Sequence, residues 1–195
     1  MTRSGRLFRD GVTTFALLAL LALLAWKLNN RPELIQTGRF YVVDGDTLAQ
    51  GGERFRLRGI DAPEYRQQCQ RNGADWACGE EARRALDRFM KTGAPECRGN
   101  EKDRYGRLLV ICKAGDVDIN AAMVRSGMAV SYGGYTAEEA VARQAKAGLW
   151  AGNFERPRDY RREEQMQHAS SGDPLGGLVD YLRKLVGWGN DDDGR

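Results

Sequence analysis

An uncharged run of 16 residues near the N-terminus limits which part of this chain can form a globular domain. The run spans residues 11–26, GVTTFALLALLALLAW, and follows three arginines, Arg3, Arg6 and Arg9. Basic residues before an apolar run are typical of a secretory signal or of an uncleaved anchor whose N-terminus stays inside. The run is shorter than the roughly 20 residues that span a bilayer, but Leu28 and a snorkelling Lys27 can extend it. A globular domain must therefore come from the residues that follow.

The alternatives for this run lead to different mature proteins. Its alanines, at positions 16, 19, 22 and 25, form no A-x-A cleavage pattern, which favours an uncleaved anchor at residues 1–30 over a cleaved signal. A buried core helix is the third alternative, although the run is apolar on all sides. With an anchor, residues 11–28 contact the membrane and the domain lies on its outer side, periplasmic or extracellular. With a cleaved signal, the domain is secreted.

The four cysteines agree with export. They are Cys69, Cys78, Cys97 and Cys112, an even number that allows two disulfide bonds in an oxidising compartment, in any of three pairings. Cys97 and Cys112 would face each other across a β-hairpin if residues 96–98 form a strand, and Cys69 and Cys78 would then close a short loop. Four free, partly buried thiols are the alternative.

The composition predicts a folded domain and excludes one class of metal site. Of the 195 residues, 42% are apolar and 29% are charged, as expected for a chain with a globular part. The net charge of +3 and the pI of about 8.7 permit a phosphate-bearing partner without requiring one. The single histidine, His168, is far from all four cysteines, so a Cys/His metal framework is excluded.

The order of predicted elements indicates an α+β domain. Short β-rich runs come first, with two strands joined by a turn at residues 50–53, and helices follow at 80–92, at 119–126 and from Thr136 to Gly148. Thr136 and Glu139 have the spacing of a capping box at the start of the third helix. Strands in hairpins followed by helices predict a small antiparallel barrel or sheet that packs against helices.

Two acidic turns follow two of the predicted strands. Residues 43–48 read VDGDTL and residues 55–64 read FRLRGIDAPE. Turns at the ends of adjacent strands could bring Asp46 and Asp61 together, and carboxylates at close range repel unless a cation joins them. Hard oxygen ligands suit Ca²⁺ or Mg²⁺. The alternative is ordinary solvated turn chemistry, in which aspartate, glycine and proline are common.

Five stretches in fixed order resemble the staphylococcal nuclease (thermonuclease) family. They are VDGDTL at 43–48, FRLRGIDAPE at 55–64, DRYGRLL at 103–109, NAAMVRSGMA at 120–129 and AKAGLW at 145–150. The resemblance implies an OB-fold domain at residues 38–162, a five-stranded β-barrel with three α-helices, after a linker at 31–37. The N-terminal hydrophobic helix lies outside it, and so do residues 163–195, which we predict to be a flexible linker and an amphipathic helix that begins at Asp173.

The resemblance implies a calcium site. Asp46 and Asp61 match the two carboxylate ligands of the family, and Ala62 matches a residue that contributes its main-chain carbonyl. The best-known members have threonine where this chain has Ala62, so the backbone ligand survives and a hydroxyl is lost.

The resemblance also implies catalytic and substrate-binding residues. Arg56, Glu64 and Arg107 match the catalytic arginines and glutamate, while Tyr105 and Tyr132 match tyrosines that lie against the bound nucleotide. Arginine binds phosphate through two parallel hydrogen bonds, glutamate can activate water, and an aromatic ring stacks on any base.

The function implied is a Ca²⁺-dependent, sugar-nonspecific endonuclease. It would hydrolyse DNA and RNA, prefer single strands, leave a 3′-phosphate and a 5′-hydroxyl, and act as a monomer. Two alternatives stay open: an inactive OB-fold module that binds nucleic acid or another polyanion, and a nuclease-like protein of an envelope polysaccharide pathway.

Overall fold

The structure, a computed structural model, describes the backbone of residues 3–29 and 32–170, and the side chains of residues 11–27 and 32–167. The C-terminal helix predicted from Asp173 lies outside the described residues. The strands are β1 Leu34–Thr37, β2 Tyr41–Val42, β3 Thr47–Gln50, β4 Glu53–Leu57, β5 Ile60–Asp61, β6 Cys69–Arg71, β7 Ala74–Trp76, β8 Pro95–Lys102, β9 Leu108–Ala114, β10 Val117–Asp118, β11 Val130–Ser131 and β12 Gly152–Asn153. The helices are α1 Arg3–Asn29, α2 Cys78–Met90, α3 Ile119–Arg125, α4 Thr136–Gln144 and α5 Pro157–Ser170.

The main sheet is larger than the predicted five-stranded barrel, and residues 34–37, which the sequence assigns to a linker, form its strand β1. In the described part of the chain, seven strands form one sheet in the order β1-β8-β9-β4-β3-β2, with β10 paired to β9. The sheet is a curled half-barrel within an α+β domain. One parallel pair, β4 with β9, joins the antiparallel strands on either side of it. The β3–β4 turn lies where the sequence predicts it, with positive φ at both Gly51 and Gly52, the backbone that a two-residue hairpin turn needs.

The core lies between the main sheet and helices α2 and α3. Buried and more exposed residues alternate along β9, as expected for a strand with one face on a core. Phe55 and Leu57 of β4 are buried with Leu108 and Val110 of β9, and Leu86 of α2 packs in the same cluster. The three domain helices, α2, α3 and α4, begin within two residues of their predicted starts.

Both predicted disulfide bonds are present. Cys97 and Cys112 are directly opposite each other in the β8–β9 pair, and Cys69 is bonded to Cys78. All four cysteines are buried. The first bond holds the two longest strands of the sheet together, and the second joins β6 to the start of α2.

The N-terminal helix is present, but its relation to a membrane stays a prediction. Helix α1 exposes large apolar side chains, among them Phe15, Leu23 and Trp26. Within the residues whose side chains are described, none of the helices combines the length and the apolar character needed to cross a bilayer.

The start of the C-terminal region differs from the prediction. Residues 163–170, which the sequence assigns to a flexible linker, continue helix α5. Upstream of that helix, Phe154 packs edge-to-face on Trp150. Helix α5 has few apolar residues, so its hydrophobic pattern is weak and sequence periodicity does not reveal it.

A close approach at Gly45 brings the turn before β3 against helix α2. A Cβ atom at position 45 would lie 2.7 Å from the Cβ of Ala62 and 2.8 Å from the Cβ of Ala82, too near for either methyl group. Glycine is therefore required at position 45 by the packing of three chain segments.

We expect Gly45→Ala to lower the free energy of unfolding by about 1–3 kcal/mol, the usual cost of overpacking. Urea denaturation followed by circular dichroism measures this value. Adding Ala82→Gly to the variant removes one of the two clashes and should recover part of the loss. A stability unchanged by Gly45→Ala would contradict the close packing.

We expect replacement of both Cys97 and Cys112 by alanine to lower the free energy of unfolding by about 3 kcal/mol, because the bond closes a loop of about 15 residues. The matched double variant of Cys69 and Cys78 should lose less, since its bond spans 9 positions rather than 15. Denaturant titration of both variants checks the order, and a larger loss for the shorter loop would contradict it.

Candidate active site

One arginine bridges the two aspartates that the sequence predicts to lie together. Nη1 of Arg56 is 2.7 Å from Oδ1 of Asp46, and Nη2 of Arg56 is 2.6 Å from Oδ1 of Asp61. The two aspartates are 3% and 2% exposed. Buried carboxylates are rare unless they are paired, so this cluster differs from a solvated turn.

The hairpin register places these side chains. Thr47 pairs with Arg56 across β3 and β4, and the N–H of Leu57 donates to the carbonyl of Asp46 at 2.8 Å. Asp46 therefore lies beside Arg56, immediately before the first residue of β3. Asp61 lies in β5, which pairs with β11, so its backbone is held from the other side.

The carboxylate of Asp46 accepts several hydrogen bonds. Oδ1 accepts from the hydroxyl of Thr47 at 3.0 Å, and Oδ2 accepts from the N–H of Ala62 at 3.1 Å. Burial nevertheless raises the pKa of Asp46 to about 7, although the Arg56 guanidinium lowers it. The hydrogen bonds and Arg56 therefore offset only part of the free-energy cost of burying the negative charge of Asp46.

Glu64 is held by the loop that follows β5. Its N–H donates to Oε1 of Gln67 at 3.2 Å, and Nε2 of Gln67 donates to the carbonyl of Glu155 at 2.7 Å. Gln67 is fully buried and so ties the Glu64 loop to the segment before α5. The side chain of Glu64 is one-third exposed, which leaves it open to solvent.

Arg161 is a member of the cluster that sequence reasoning missed. Its Nη2 lies 3.0 Å from both Oδ1 and Oδ2 of Asp61, and its Nη1 lies 2.8 Å from Oε1 of Glu64. Burial lowers the pKa of Arg161, but the hydrogen bond to Glu64 and the charge of Asp61 outweigh burial and raise it. Arg161 lies 97 residues after Glu64 and 100 residues after Asp61 in the sequence. No local motif marks this contact.

Arg107 lies just before the strand that neighbours the strand of Arg56. It immediately precedes β9, and the parallel register of β4 and β9 pairs Arg56 with Leu109. Arg107 thus lies two residues before the partner of Arg56, at the end of the turn that leads into β9. The Arg107 guanidinium pairs with Asp103, with Nη2 2.7 Å from Oδ2, and this pair fixes the turn before β9.

The two predicted nucleotide-contacting tyrosines are exposed. Tyr105 is 62% exposed and Tyr132 is 58% exposed. The guanidinium carbon of Arg107 lies 5.4 Å from the centre of the Tyr105 ring, so the ring and the arginine are neighbours. Tyr132 follows β11, the strand that pairs with β5, and its N–H donates to the carbonyl of Gly59 at 2.9 Å.

The donor set at this site suits a hard cation with few protein side chains. Among the described residues there is no group of three or more His, Cys, Asp or Glu side chains placed to hold a metal ion. A cation here would take two carboxylates, those of Asp46 and Asp61, and complete its shell with main-chain carbonyl oxygen and water. Ca²⁺ and Mg²⁺ accept such mixed oxygen shells, so the residues present fit.

A separate cavity lies away from this cluster. It has a volume of about 900 Å³ and runs between the β2–β3 region and α2, where Arg39, Tyr41, Arg83 and Lys91 line it together with apolar residues. None of the carboxylates of the cluster lines it. The cluster is separate from this cavity, with Asp46 and Asp61 buried and Glu64 partly exposed.

Comparison with known proteins identifies the family. A family model described as staphylococcal nuclease homologue matches residues 54–152. A Rhizobium meliloti protein named succinoglycan biosynthesis protein ExoI is 39% identical over 121 residues, which are 58% of this chain and 63% of that protein. An uncharacterized endonuclease of Haemophilus influenzae is 32% identical over 140 residues, 66% of this chain and 74% of that protein.

A third relative extends the range of organisms. A probable endonuclease, LCL3, of the fungus Verticillium alfalfae is 31% identical over 154 residues, 69% of this chain and 51% of that protein. This chain thus spans less than two thirds of the R. meliloti and fungal relatives. The family match covers just over half of the chain, from β4 to the start of β12, and includes Arg56, Asp61, Glu64 and Arg107. The chain belongs to the family of staphylococcal nuclease homologues.

Proposed function

We propose that this protein is a cation-dependent nuclease that hydrolyses phosphodiester bonds of DNA and RNA as a monomer. The observation that carries the proposal is the bridge from Arg56 to two buried aspartates, with Glu64 three residues beyond one of them. Further support comes from relatives whose names include nuclease or endonuclease. The same residues would serve a chemistry in which an anionic substrate is neutralised and water attacks it.

Asp46 and Asp61 would hold the cation, with the main-chain carbonyl of Ala62 as a third protein ligand. We propose Ca²⁺, because its shell of six to eight oxygens tolerates irregular geometry and several waters. When bound, the ion supplies Lewis-acid stabilisation of the phosphoryl oxygens.

Arg56 and Arg107 would both bind the phosphate. Each guanidinium offers paired N–H donors that match two phosphate oxygens. Donors already in position stabilise the charge that builds up in the transition state more than the charge of the ground state. Asp103 would keep the Arg107 side chain in position through its ion pair.

Glu64 would orient or deprotonate the attacking water. Its carboxylate is on a loop rather than in the sheet, and its partial exposure leaves room for a water molecule beside it. Attack by this water with departure of the 5′ oxygen leaves a 3′-phosphate and a 5′-hydroxyl. The exposed rings of Tyr105 and Tyr132 would stack on unpaired bases, which accounts for a preference for single strands.

A second candidate function follows from the name of one relative. The R. meliloti protein named for succinoglycan biosynthesis is 39% identical, which supports a nuclease-like protein of an envelope polysaccharide pathway. An inactive module that binds polyanions is the third candidate. The three differ in outcome: the nuclease cleaves nucleic acid, the module binds it without cleavage, and the polysaccharide protein does neither.

We also propose that α1 attaches the domain to a membrane and that the domain lies on the outer side. Membrane attachment is supported by the many exposed apolar side chains of α1, because large exposed apolar patches are unusual on soluble proteins. The outer location is supported by the two disulfide bonds, which suit an oxidising compartment.

We expect plasmid and single-stranded DNA to be degraded by the protein with Ca²⁺ and to stay intact with EDTA. Glu64→Gln should lower kcat by about 10²–10⁴-fold, because it removes the acceptor for the water proton. The control is Glu101→Gln, which changes an exposed carboxylate whose partner is Arg58. Intact DNA in every tube would refute the nuclease.

We expect Arg56→Lys to lower kcat by about 10²–10³-fold, since a lysine keeps the charge but cannot bridge two carboxylates and a phosphate. Arg58→Lys is the matched control, because Arg58 is two residues away, half exposed and paired with Glu101 at 3.4 Å. Steady-state assays with a short oligonucleotide measure both variants, and equal losses would contradict the assignment.

We expect the full chain to sediment with membranes and to require detergent for release, whereas residues 31–195 should stay in the soluble fraction of an exporting host. Immunoblotting of the fractions measures this, and the size of the mature chain reports cleavage. A full chain found intact in the soluble fraction would contradict membrane attachment.

A further inference from the structure

Arg161 binds the same carboxylate oxygens that the proposed cation would use. Both oxygens of Asp61 lie 3.0 Å from its Nη2, and Oε1 of Glu64 lies 2.8 Å from its Nη1. The Arg161 side chain is 32% exposed while that of Asp61 is 3% exposed. The guanidinium therefore covers Asp61 and links it to Glu64.

Charges at the cluster come from three acids and two arginines. Asp46, Asp61 and Glu64 face Arg56 and Arg161. A divalent ion bound to the oxygens of Asp61 would lie only a few ångströms from the Arg161 guanidinium, and like charges at that range repel strongly in a partly buried site. Arg161 and the ion are thus alternative partners of one carboxylate.

The two arginines are anchored differently. Arg56 is in the middle of the main sheet, paired on both sides by β3 and β9, and its side chain is 15% exposed. Arg161 is on α5, outside the residues matched by the family model. The segment before α5 is tied to the domain by the hydrogen bond between Gln67 and Glu155. Departure of Arg161 from Asp61 therefore breaks no strand pairing, whereas Arg56 is less exposed and is bound to two aspartates at once.

We propose that Arg161 is a built-in competitor of the divalent cation: it neutralises Asp61 and restrains Glu64, and cation binding displaces it and loosens α5. This inference rests on the proposed cation-dependent function. Displacement of Arg161 also frees the carboxylate of Glu64 to accept a hydrogen bond from water. The affinity of the site for its cation is therefore set partly by a residue that lies outside the residues matched by the family model.

Calorimetric titration of the chelator-treated full chain in detergent with Ca²⁺ tests the proposal. We expect Arg161→Ala to bind Ca²⁺ about tenfold more tightly than the unchanged protein, because one charge-assisted pair no longer has to be broken. Arg161→Lys should fall between the two. The matched control is Arg162→Ala, whose residue is 65% exposed and pairs with Asp159 within the helix; its Ca²⁺ affinity should be unchanged.

Hydrogen exchange followed by mass spectrometry supplies a second readout that does not depend on activity. Addition of Ca²⁺ should speed exchange in residues 157–170 of the unchanged protein and of Arg162→Ala. In Arg161→Ala the exchange should already be fast and should not respond. Circular dichroism of each variant shows that the domain is folded.

Several results would overturn the proposal. Equal or weaker Ca²⁺ binding by Arg161→Ala refutes competition while leaving the Ca²⁺ site itself intact, and so does exchange in α5 that ignores Ca²⁺. Absence of Ca²⁺ binding in every variant refutes both this inference and the proposed calcium dependence. Binding by Arg161→Ala alone would support the strongest form of the competition.

Discussion

The ion pairs between Arg56 and two buried aspartates are the interaction on which the rest of the site depends. Removing one partner of a buried pair leaves an uncompensated charge and is strongly destabilising, so Asp46, Arg56 and Asp61 constrain one another. Each comes from a different strand or strand end. The curled sheet brings these positions together and holds them to within a hydrogen-bond length.

The surrounding fold supports this cluster through close packing and covalent links. Gly45 lets the turn that carries Asp46 approach Ala62 and Ala82, so the turn, the β5 loop and α2 are in contact. The disulfide between Cys69 and Cys78 secures the loop beyond Glu64 to the start of α2. Rigid support of this kind keeps donors and acceptors in place before a ligand arrives, which is the condition for electrostatic stabilisation of a transition state.

Local patterns in the sequence predicted turns and helix starts better than they predicted contacts between distant segments of the chain. The hairpin turn at Gly51 and Gly52 and the starts of the domain helices follow from short-range chemistry and are confirmed. Helix α4 begins at Thr136 as predicted, but the predicted capping box is wrong. The N-cap residue is Tyr135. The Glu139 side chain instead accepts a hydrogen bond at its Oε2 from the N–H of Ser131, at 2.6 Å. A tertiary partner took the place of the local one, because a buried N–H without an acceptor is costly.

The sequence by itself determined the acidic turns, the even number of cysteines and the motifs that mark the family, because these depend on residue type and on spacing along the chain; which cysteines are bonded was settled by the structure. Only the tertiary structure decided that Arg161 binds Asp61 and Glu64, that the main sheet has seven strands in the described residues rather than five, and that α5 replaces part of a linker. These features depend on contacts between residues up to 100 positions apart. Their energy comes from burial and charge pairing across space, which a pattern of neighbouring residues does not encode.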